Sequence, residues 1–466
     1  MFIYIIQIYP KFMLCFLDTS TRGLEGTSMQ LTHTQPEMEV AASSGTPHKR
    51  ELPQALQALS YRNFRLFWFS QIVSLLGTWM QTTGQAWLVL QLSHNNALWL
   101  GVDGALQFLP VLILGLFSGV IADRISKRKL LIGTQAAYMI LATVLCLLVA
   151  THTVQLWHVL VLSTLLGVTN SLDMPVRQAF VVEMVGRKSL PNAIALNSSS
   201  FNVTRIIGPS VAGLVIAGFG EMPLFLLNAI SFIPVIISIS LMRDAELQYQ
   251  PQTKSEEERQ GVFQSLGEGF AYVKRTPAVF LIIAIVGVVS LFGINFNVVL
   301  PLFATTVLHS GSTGYGLISS FFGIGALAAA LSIAARSRKP RIGFMVGSAF
   351  LFGVFEAIFA LSHLYIVSLI LIAIVGFGLV SFTATANSAI QSVTPGHLRG
   401  RIMSVYTIVF TGTTPIGNLL TGGIANTFGA SVALFAMAFI SIAAAVVAWL
   451  KRKPAEQSLN THTRLT

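Results

Sequence analysis

Charge is what this sequence has least of: 10% of its 466 residues are Asp, Glu, Lys or Arg, against roughly 25% in a soluble globular domain. Water is therefore not the solvent for most of the chain. Cysteine is almost absent as well. Cys15 and Cys146 stand far apart, so neither a disulfide framework nor a metal cluster is expected, and redox chemistry has no support. The chain also lacks a Gly-Lys-Ser/Thr phosphate loop, a His-Glu-x-x-His metal pair and a Gly-x-Ser-x-Gly nucleophile turn. Their absence argues against a nucleotide-driven pump and a membrane enzyme. Five of the nine histidines, His33, His48, His94, His309 and His363, fall in tails or loops. No catalytic residues, metal or cofactor are expected.

What is present in quantity is apolar side chain, 53% of the residues, with a mean hydropathy of +0.71. A helix needs about 20 apolar residues to cross a hydrocarbon core of about 30 Å. Segments of that kind fall at roughly 67–92, 97–121, 130–151, 156–176, 198–219 and 223–242, then at 278–307, 314–335, 342–362, 364–389, 402–425 and 430–450. Twelve spans predict an all-α integral membrane protein with no room for a large soluble domain. Residues 1–60 read as a disordered cytoplasmic tail. Its first 28 residues open on an apolar stretch, residues 1–17, that is short, interrupted by Pro10 and Lys11 and without a signal-peptide cleavage site, so Met29 is an alternative start of translation. A polar linker at 243–277, with the run Glu256, Glu257 and Glu258, separates an N-terminal bundle at 61–242 from a C-terminal one at 278–450, and 451–466 is a second cytoplasmic tail. Within the linker Val262, Phe263, Leu266, Phe270 and Val273 recur at helical spacing, which predicts an amphipathic helix at the membrane interface.

The net charge of +11 does not describe a nucleic-acid surface, because the basic residues sit in short clusters between apolar segments rather than along one polar face. The clusters run from Lys49 to Arg65, Arg124 to Lys129, Arg177 to Lys188, Arg243 to Arg275, Arg336 to Arg341, Arg399 to Arg401 and Lys451 to Arg464. They hold 26 of the 29 Lys and Arg, while intervening connections such as 93–96 and 310–313 hold none. A cluster on every second connection places both termini in the cytoplasm. One missed or false span would throw later clusters to the wrong side, so the alternation supports the count of twelve.

A faint internal repeat relates Gly213-Leu-Val-Ile-Ala-Gly-Phe-Gly220 to Gly422-Gly-Ile-Ala-Asn-Thr-Phe-Gly429. Two six-helix halves fit that offset, an arrangement known among transporters with a midplane site. The connection between spans 2 and 3 reads Gly119-Val-Ile-Ala-Asp123-Arg124-Ile-Ser126-Lys127-Arg128-Lys129. It resembles the loop signature of the major facilitator superfamily, with Ser126 where a second glycine is usual. A longer pattern covers Asp173-Met-Pro175-Val-Arg177-Gln178, Pro191-Asn192, Asn197, Arg205-Ile-Ile-Gly208-Pro209 and Gly213. With Leu398-Arg399-Gly400-Arg401 and Tyr61-Arg62-Asn63-Phe64-Arg65, it resembles the branch containing the enterobactin exporter and the macrolide and drug efflux proteins.

The resemblance implies the major facilitator fold, two pseudo-symmetric six-helix bundles, with Gly119, Asp123, Arg124 and Arg128 in a conformational latch. Asp173 and Arg177, four residues apart, read as a structural ion pair beside that latch. Gly208, Pro209 and Gly213 resemble the span 5 signature of exporters, and their groove also suits plain helix packing. Charges inside the spans are few. Arg205 could snorkel to the cytoplasmic surface, pair with an acid or attract an anionic substrate. Asp103 and Glu356 are candidates for proton coupling, although Glu356, on the peripheral span 9, could turn toward the headgroups. Spans 1, 4, 7 and 10 line the cavity in this family. Here they carry Gln81, Gln85, Asn170, Asn295, Asn297, Thr383, Thr385 and Asn387 as candidate substrate contacts.

The expected function is export of a small amphipathic molecule across the cell membrane by a monomer, by alternating access driven by inward proton flow. Two alternatives fit the same architecture: a lysophospholipid flippase, and a non-transporting sensor that has kept the fold.

Overall fold

The computed structural model describes residues 54–248, 262–335 and 341–453, apart from a few side chains that include those of 119–124. Most of both tails, the acidic run 256–258 and most of the basic cluster at 336–341 lie outside the described residues, whereas 54–60, expected as part of a disordered tail, is ordered, with Ala58 buried and bonded to Asn192. Regular structure among the described residues is entirely helical. A short 3-10 helix, Gln54–Ser60, leads into α1 (Arg62–Leu92), α2 (Ala97–Arg124) and α3 (Lys127–Ala150). The next helix, Leu156–Phe219, breaks at Gly186 into two arms, α4 (156–185) and α5 (187–219), and α6 is Met222–Ser240. A linker helix, Val262–Arg275, precedes α7 (Pro277–Thr306), α8 (Gly311–Ala335), α9 (Ile342–Ala360), α10 (Tyr365–Val393), α11 (Arg399–Phe428) and α12 (Ala430–Leu450).

Nine helices among the described residues are long and apolar enough to cross a membrane, and one of them is the 64-residue Leu156–Phe219, which holds two arms. The helices α1 and α11, 31 and 30 residues long, have the length but more polar sequences. This is consistent with twelve crossings.

Two departures from the expected boundaries have physical causes. Spans 4 and 5 were expected to be joined by a polar connection at 177–197, but the chain stays helical on both sides of Gly186. The segment looks polar along the sequence yet is amphipathic. Phe180, Val181, Met184 and Val185 turn inward against Phe64, Phe67, Leu131, Val235 and Ile239, and that burial keeps it folded. The reversal is concentrated at Gly186, with φ 68° and ψ 171°, a region essentially closed to residues with a Cβ. Span 7 was expected to be continuous. It unwinds at Ile294 and Asn295 between Pro277–Gly293 and Phe296–Thr306. The Asn295 side chain donates to the Leu291 carbonyl at 2.9 Å, a local bond of the kind that competes with the helical ladder.

In the N-terminal half α1 packs on α6 and on the α4–α5 pair, and α3 packs on α6. In the C-terminal half α10 packs on α8 and α9, and α12 on α7 and α9. The described residues of the basic clusters gather at one end, where the N-terminal half is tied by side chains. Asn63 exchanges two hydrogen bonds with the Arg243 backbone, at 2.9 and 3.1 Å. Asn192 accepts from the Ala58 amide at 2.9 Å. The linker helix buries Val273 and is joined to α11 by the Arg401–Glu268 ion pair.

Candidate functional site

The two halves meet along two seams, α2 on α11 and α5 on α8. Both are made of residues small enough for backbones to touch, the usual way helices associate where no hydrophobic force separates helix from lipid. On the first seam a Cβ at Gly101 would lie 2.5 Å from the Asn418 carbonyl oxygen, and one at Gly422 would lie 2.8 Å from that of Ala97. On the second, Gly213 faces Ser312 and Gly316, a Cβ at Gly316 falling 2.3 Å from the Pro209 carbonyl oxygen. Ser320 donates to the Ile206 carbonyl at 2.5 Å and accepts from Ser210 at 2.6 Å. A stack of Trp87 on Tyr315, centroids 6.3 Å apart, bridges α1 and α8. These contacts fall between the middle of the helices and the end opposite the basic clusters.

Gly208, Pro209 and Gly213 thus serve two faces of α5. Gly208 packs against Trp79 of α1, while Pro209 and Gly213 meet α8.

Three groups of charged side chains lie inside the helices of the N-terminal half. Asp103, 8% exposed, sits among α1, α2 and α4. It accepts from Gln85 Nε2 at 3.2 and 3.3 Å and from the Ser163 hydroxyl, and Gln85 also reaches Ser163 at 2.8 Å. Its described partners are uncharged. Asp173 forms the second group. Its Oδ2 is 2.7 Å from Arg177, and its Oδ1 accepts from Thr134 at 2.7 Å and Gln135 at 2.8 Å. Arg177 is further held by Gln71 and by the ring of Phe67. The third is Arg205 of α5, 6% exposed, with its guanidinium 4.9 Å from the centroid of Phe322 on α8. It stays inside the protein at the seam and does not snorkel. Glu356 stands alone in the C-terminal half. It is 1% exposed, with Oε2 lacking a hydrogen-bond partner, so it does not turn toward the headgroups. Its helix presents Phe352 and Phe359, one turn to either side, to Phe296 and Phe303 of α7, and Glu356 shares that inward face.

Of the latch residues, Arg128 reaches Asp244 at 2.5 Å and the carbonyls of Ile239 and Ser240 at 3.1 and 2.8 Å, all within its own half. Beside it Lys127 pairs with Glu183 at 2.6 Å. The side chains of Gly119, Asp123 and Arg124 lie outside the described residues. The residues expected along a cavity take separate places. Gln81 turns away to Asn228 of α6, at 2.5 Å, and Gln85 joins Asp103. Asn170 accepts from Tyr138 at 2.8 Å. Thr383 and Thr385 bond carbonyls of their own helix, and Asn387 is fully buried against Gln391. Asn295 is buried at the α7 break, whereas Asn297 is exposed. Ser163, Gln71, Thr134, Asn418 and Phe322 carry no sequence signal, since single hydroxyl, amide and aromatic residues occur throughout such helices. Only packing selects them. Among the described residues there is no cluster of His, Cys, Asp and Glu fit for a metal.

The arrangement is that of a transporter, two helical halves meeting on parting seams with isolated charges at depth, and comparison with known proteins agrees. Residues 54–465 match the family described as transmembrane secretion effector. The Staphyloferrin A transporter of Staphylococcus aureus is 25% identical over 78% of this chain and 90% of its own length. The multidrug efflux pump Tap of Mycolicibacterium fortuitum is 27% identical over 82% of this chain and 94% of its own. A bacterial homologue of the human lysosomal transporter Spinster, solved in an inward-facing and occupied conformation, superposes with a TM-score of 0.66 at 11% identity, covering 85% of this chain and 98% of that one. The chain belongs to the transmembrane secretion effector family of the major facilitator superfamily, and is a multi-pass membrane transporter rather than an enzyme.

Proposed function

We propose that this chain is a secondary active exporter, carrying small amphipathic molecules of drug, macrolide or siderophore character out of the cell by alternating access and proton antiport. The observation that carries the reading is where the halves touch among the described residues: the hydrogen bonds and close approaches described across the seams lie away from the basic end. With the basic end and both termini in the cytoplasm, that contact closes the outer side. Rocking the halves about the same seams would open it in turn. The relatives named for a siderophore and for multidrug efflux support the cargo class.

Asp103 is the coupling acid in this reading. Its carboxyl is held by a hydroxyl and an amide, which tolerate either protonation state, whereas Asp173 is committed to Arg177. The loop residues Gly119, Asp123, Arg124 and Arg128 would close the basic end in the opposite state, and the monomer is the working unit.

The test is efflux in a pump-deficient host over a panel of dyes, macrolides and catecholate siderophores, with substrate-driven proton movement followed in vesicles. The wild type should lower accumulation of at least one compound, and Asp103→Asn should abolish the proton signal. Unchanged accumulation of every compound would sink the reading. Proton movement driven by lysophospholipid instead would favour a flippase.

A further inference from the structure

The α5–α8 seam carries a group that packing does not require. Its other contacts come from Pro209, Gly213, Gly316 and Ser320, small residues that bring the backbones together. Arg205 is the exception: the longest cationic side chain in the repertoire, near the middle of α5, among the least favourable placements a membrane helix can adopt. Its guanidinium lies 4.9 Å from the centre of the Phe322 ring. Phe322 packs in turn at 4.8 Å on Phe296, the first residue after the α7 break. A cation and two aromatic rings are therefore contiguous where Phe322 of α8 lies between α5 and α7, at the junction of the two halves.

The chemistry of this group is selective. A guanidinium presents a planar fork of donors that fits a carboxylate through two parallel N–H···O bonds. Rings beside it give the rest of such a molecule an apolar wall. The Phe322 ring makes a cation–π contact with the guanidinium, weaker than a bidentate charge-assisted pair in a water-poor site, so a carboxylate can compete with the ring for Arg205. Being on the seam, the group also changes surroundings whenever the halves part.

We propose that Arg205 is the anion-recognition residue of the transport site, and that the exported molecule is an amphipathic carboxylate seated with its charge on Arg205 and its apolar body on Phe322 and Phe296. The inference rests on the exporter reading and specifies its cargo.

Its test compares rhodamine B, which carries a free carboxylate, with rhodamine B ethyl ester, which does not, using the full-length protein in pump-deficient cells and in everted vesicles. The wild type is expected to extrude rhodamine B. Arg205→Gln should slow that extrusion about tenfold or more, the range set by a hydrogen bond to a charged group, and leave the ester within about twofold. Arg205→Lys should recover part of the acid transport. Equal loss of both dyes in Arg205→Gln, or extrusion of the ester but not the acid by the wild type, overturns the inference and leaves the exporter reading intact. Extrusion of macrolides with neither dye moved overturns it in the same way. A wild type that exports nothing from the wider panel removes the exporter reading itself, and this inference with it.

Discussion

A single methyl group at Gly316 tests whether the seams govern access. A Cβ there would lie 2.3 Å from the Pro209 carbonyl oxygen and 3.1 Å from Gly213 Cα. Both atoms are backbone across the seam, so neither can swing aside as a side chain would. A carbon and a carbonyl oxygen approach no closer than about 3.3 Å in ordinary contacts, so α5 and α8 must separate by about 1 Å. Overpacking of this size costs roughly 1–3 kcal/mol. The penalty applies only in the state whose seam is closed at that end. Gly316→Ala should therefore shift the balance toward the state open there by roughly 5–150-fold. The reporter belongs on the other seam, at Asn418, 3% exposed and packed against Gly101 and Gly104. With Cys15 and Cys146 replaced by Ser, Asn418→Cys should react with a membrane-impermeant maleimide about tenfold faster or more when Gly316→Ala is added, since rigid halves open both seams together. Gly423→Ala, with nothing within 4 Å of its added methyl, should label at the parent rate. Parent-rate labelling in Gly316→Ala, or an equal rise in Gly423→Ala, would refute the reasoning.

Three further outcomes concern stability, read as thermal unfolding of the purified protein in detergent. Gly186→Ala should lower the midpoint, because φ 68° strains a residue with a Cβ by about 1–3 kcal/mol; adding Gln248→Ala removes the side-chain clash, at 1.9 Å, and should recover only part of the loss. Asp173→Asn leaves Arg177 without its charge partner and should destabilise by about 3–5 kcal/mol, with Arg177→Gln in the same chain restoring most of it; a double variant no better than the single would refute the pair. Glu356→Leu removes a buried carboxyl oxygen that has no partner and should raise stability by about 1–3 kcal/mol. A lower midpoint would mean that the carboxyl is satisfied.

The architecture was legible because the bilayer imposes it. Apolar run length and alternating basic clusters answer to lipid thickness and sidedness, and both are local properties of the chain. The reading failed where polarity and helicity part company. Arg177, Arg187 and Lys188 made 177–197 look like a loop, whereas the buried Phe180, Val181 and Val185 continue α4 up to Gly186 and the buried Ala193 and Leu196 carry α5 beyond it. The unwound turn at Asn295 was hidden for the opposite reason, since Val289, Phe292 and Phe296 give no break in apolarity around it. At the candidate site, the sequence offered the charges but not their partners. Asp103 and Arg205 stand out as ionisable groups in apolar surroundings and Asp173–Arg177 as a pair four residues apart, while Ser163, Phe322 and Gln71, which decide what those charges do, are ordinary residues chosen by three-dimensional proximity.

The charges also divide unequally between the halves, and the division bears on mechanism. The Asp103 cluster and the Lys127–Glu183 and Asp173–Arg177 ion pairs belong to the N-terminal half, and Arg128 ties that half to Asp244 at the start of the linker. Inside the C-terminal spans the described acid is Glu356, buried on the helix that presents Phe352 and Phe359 to α7. Under rocking, a charge buried within one half keeps its partners throughout and senses only changes in water access, as a coupling acid requires. A charge on the seam gains and loses neighbours each time the halves part. Arg205 is the described cation in that position, and it lies one turn from the Ile206–Ser320 and Ser210–Ser320 contacts that hold the seam. If cargo binds Arg205 as proposed, its charge and the seam contacts act on the same stretch of α5, and a molecule that displaces Phe322 would also disturb the packing that keeps α5 on α8. The proposal thus links binding to opening through α5 without any longer path between them.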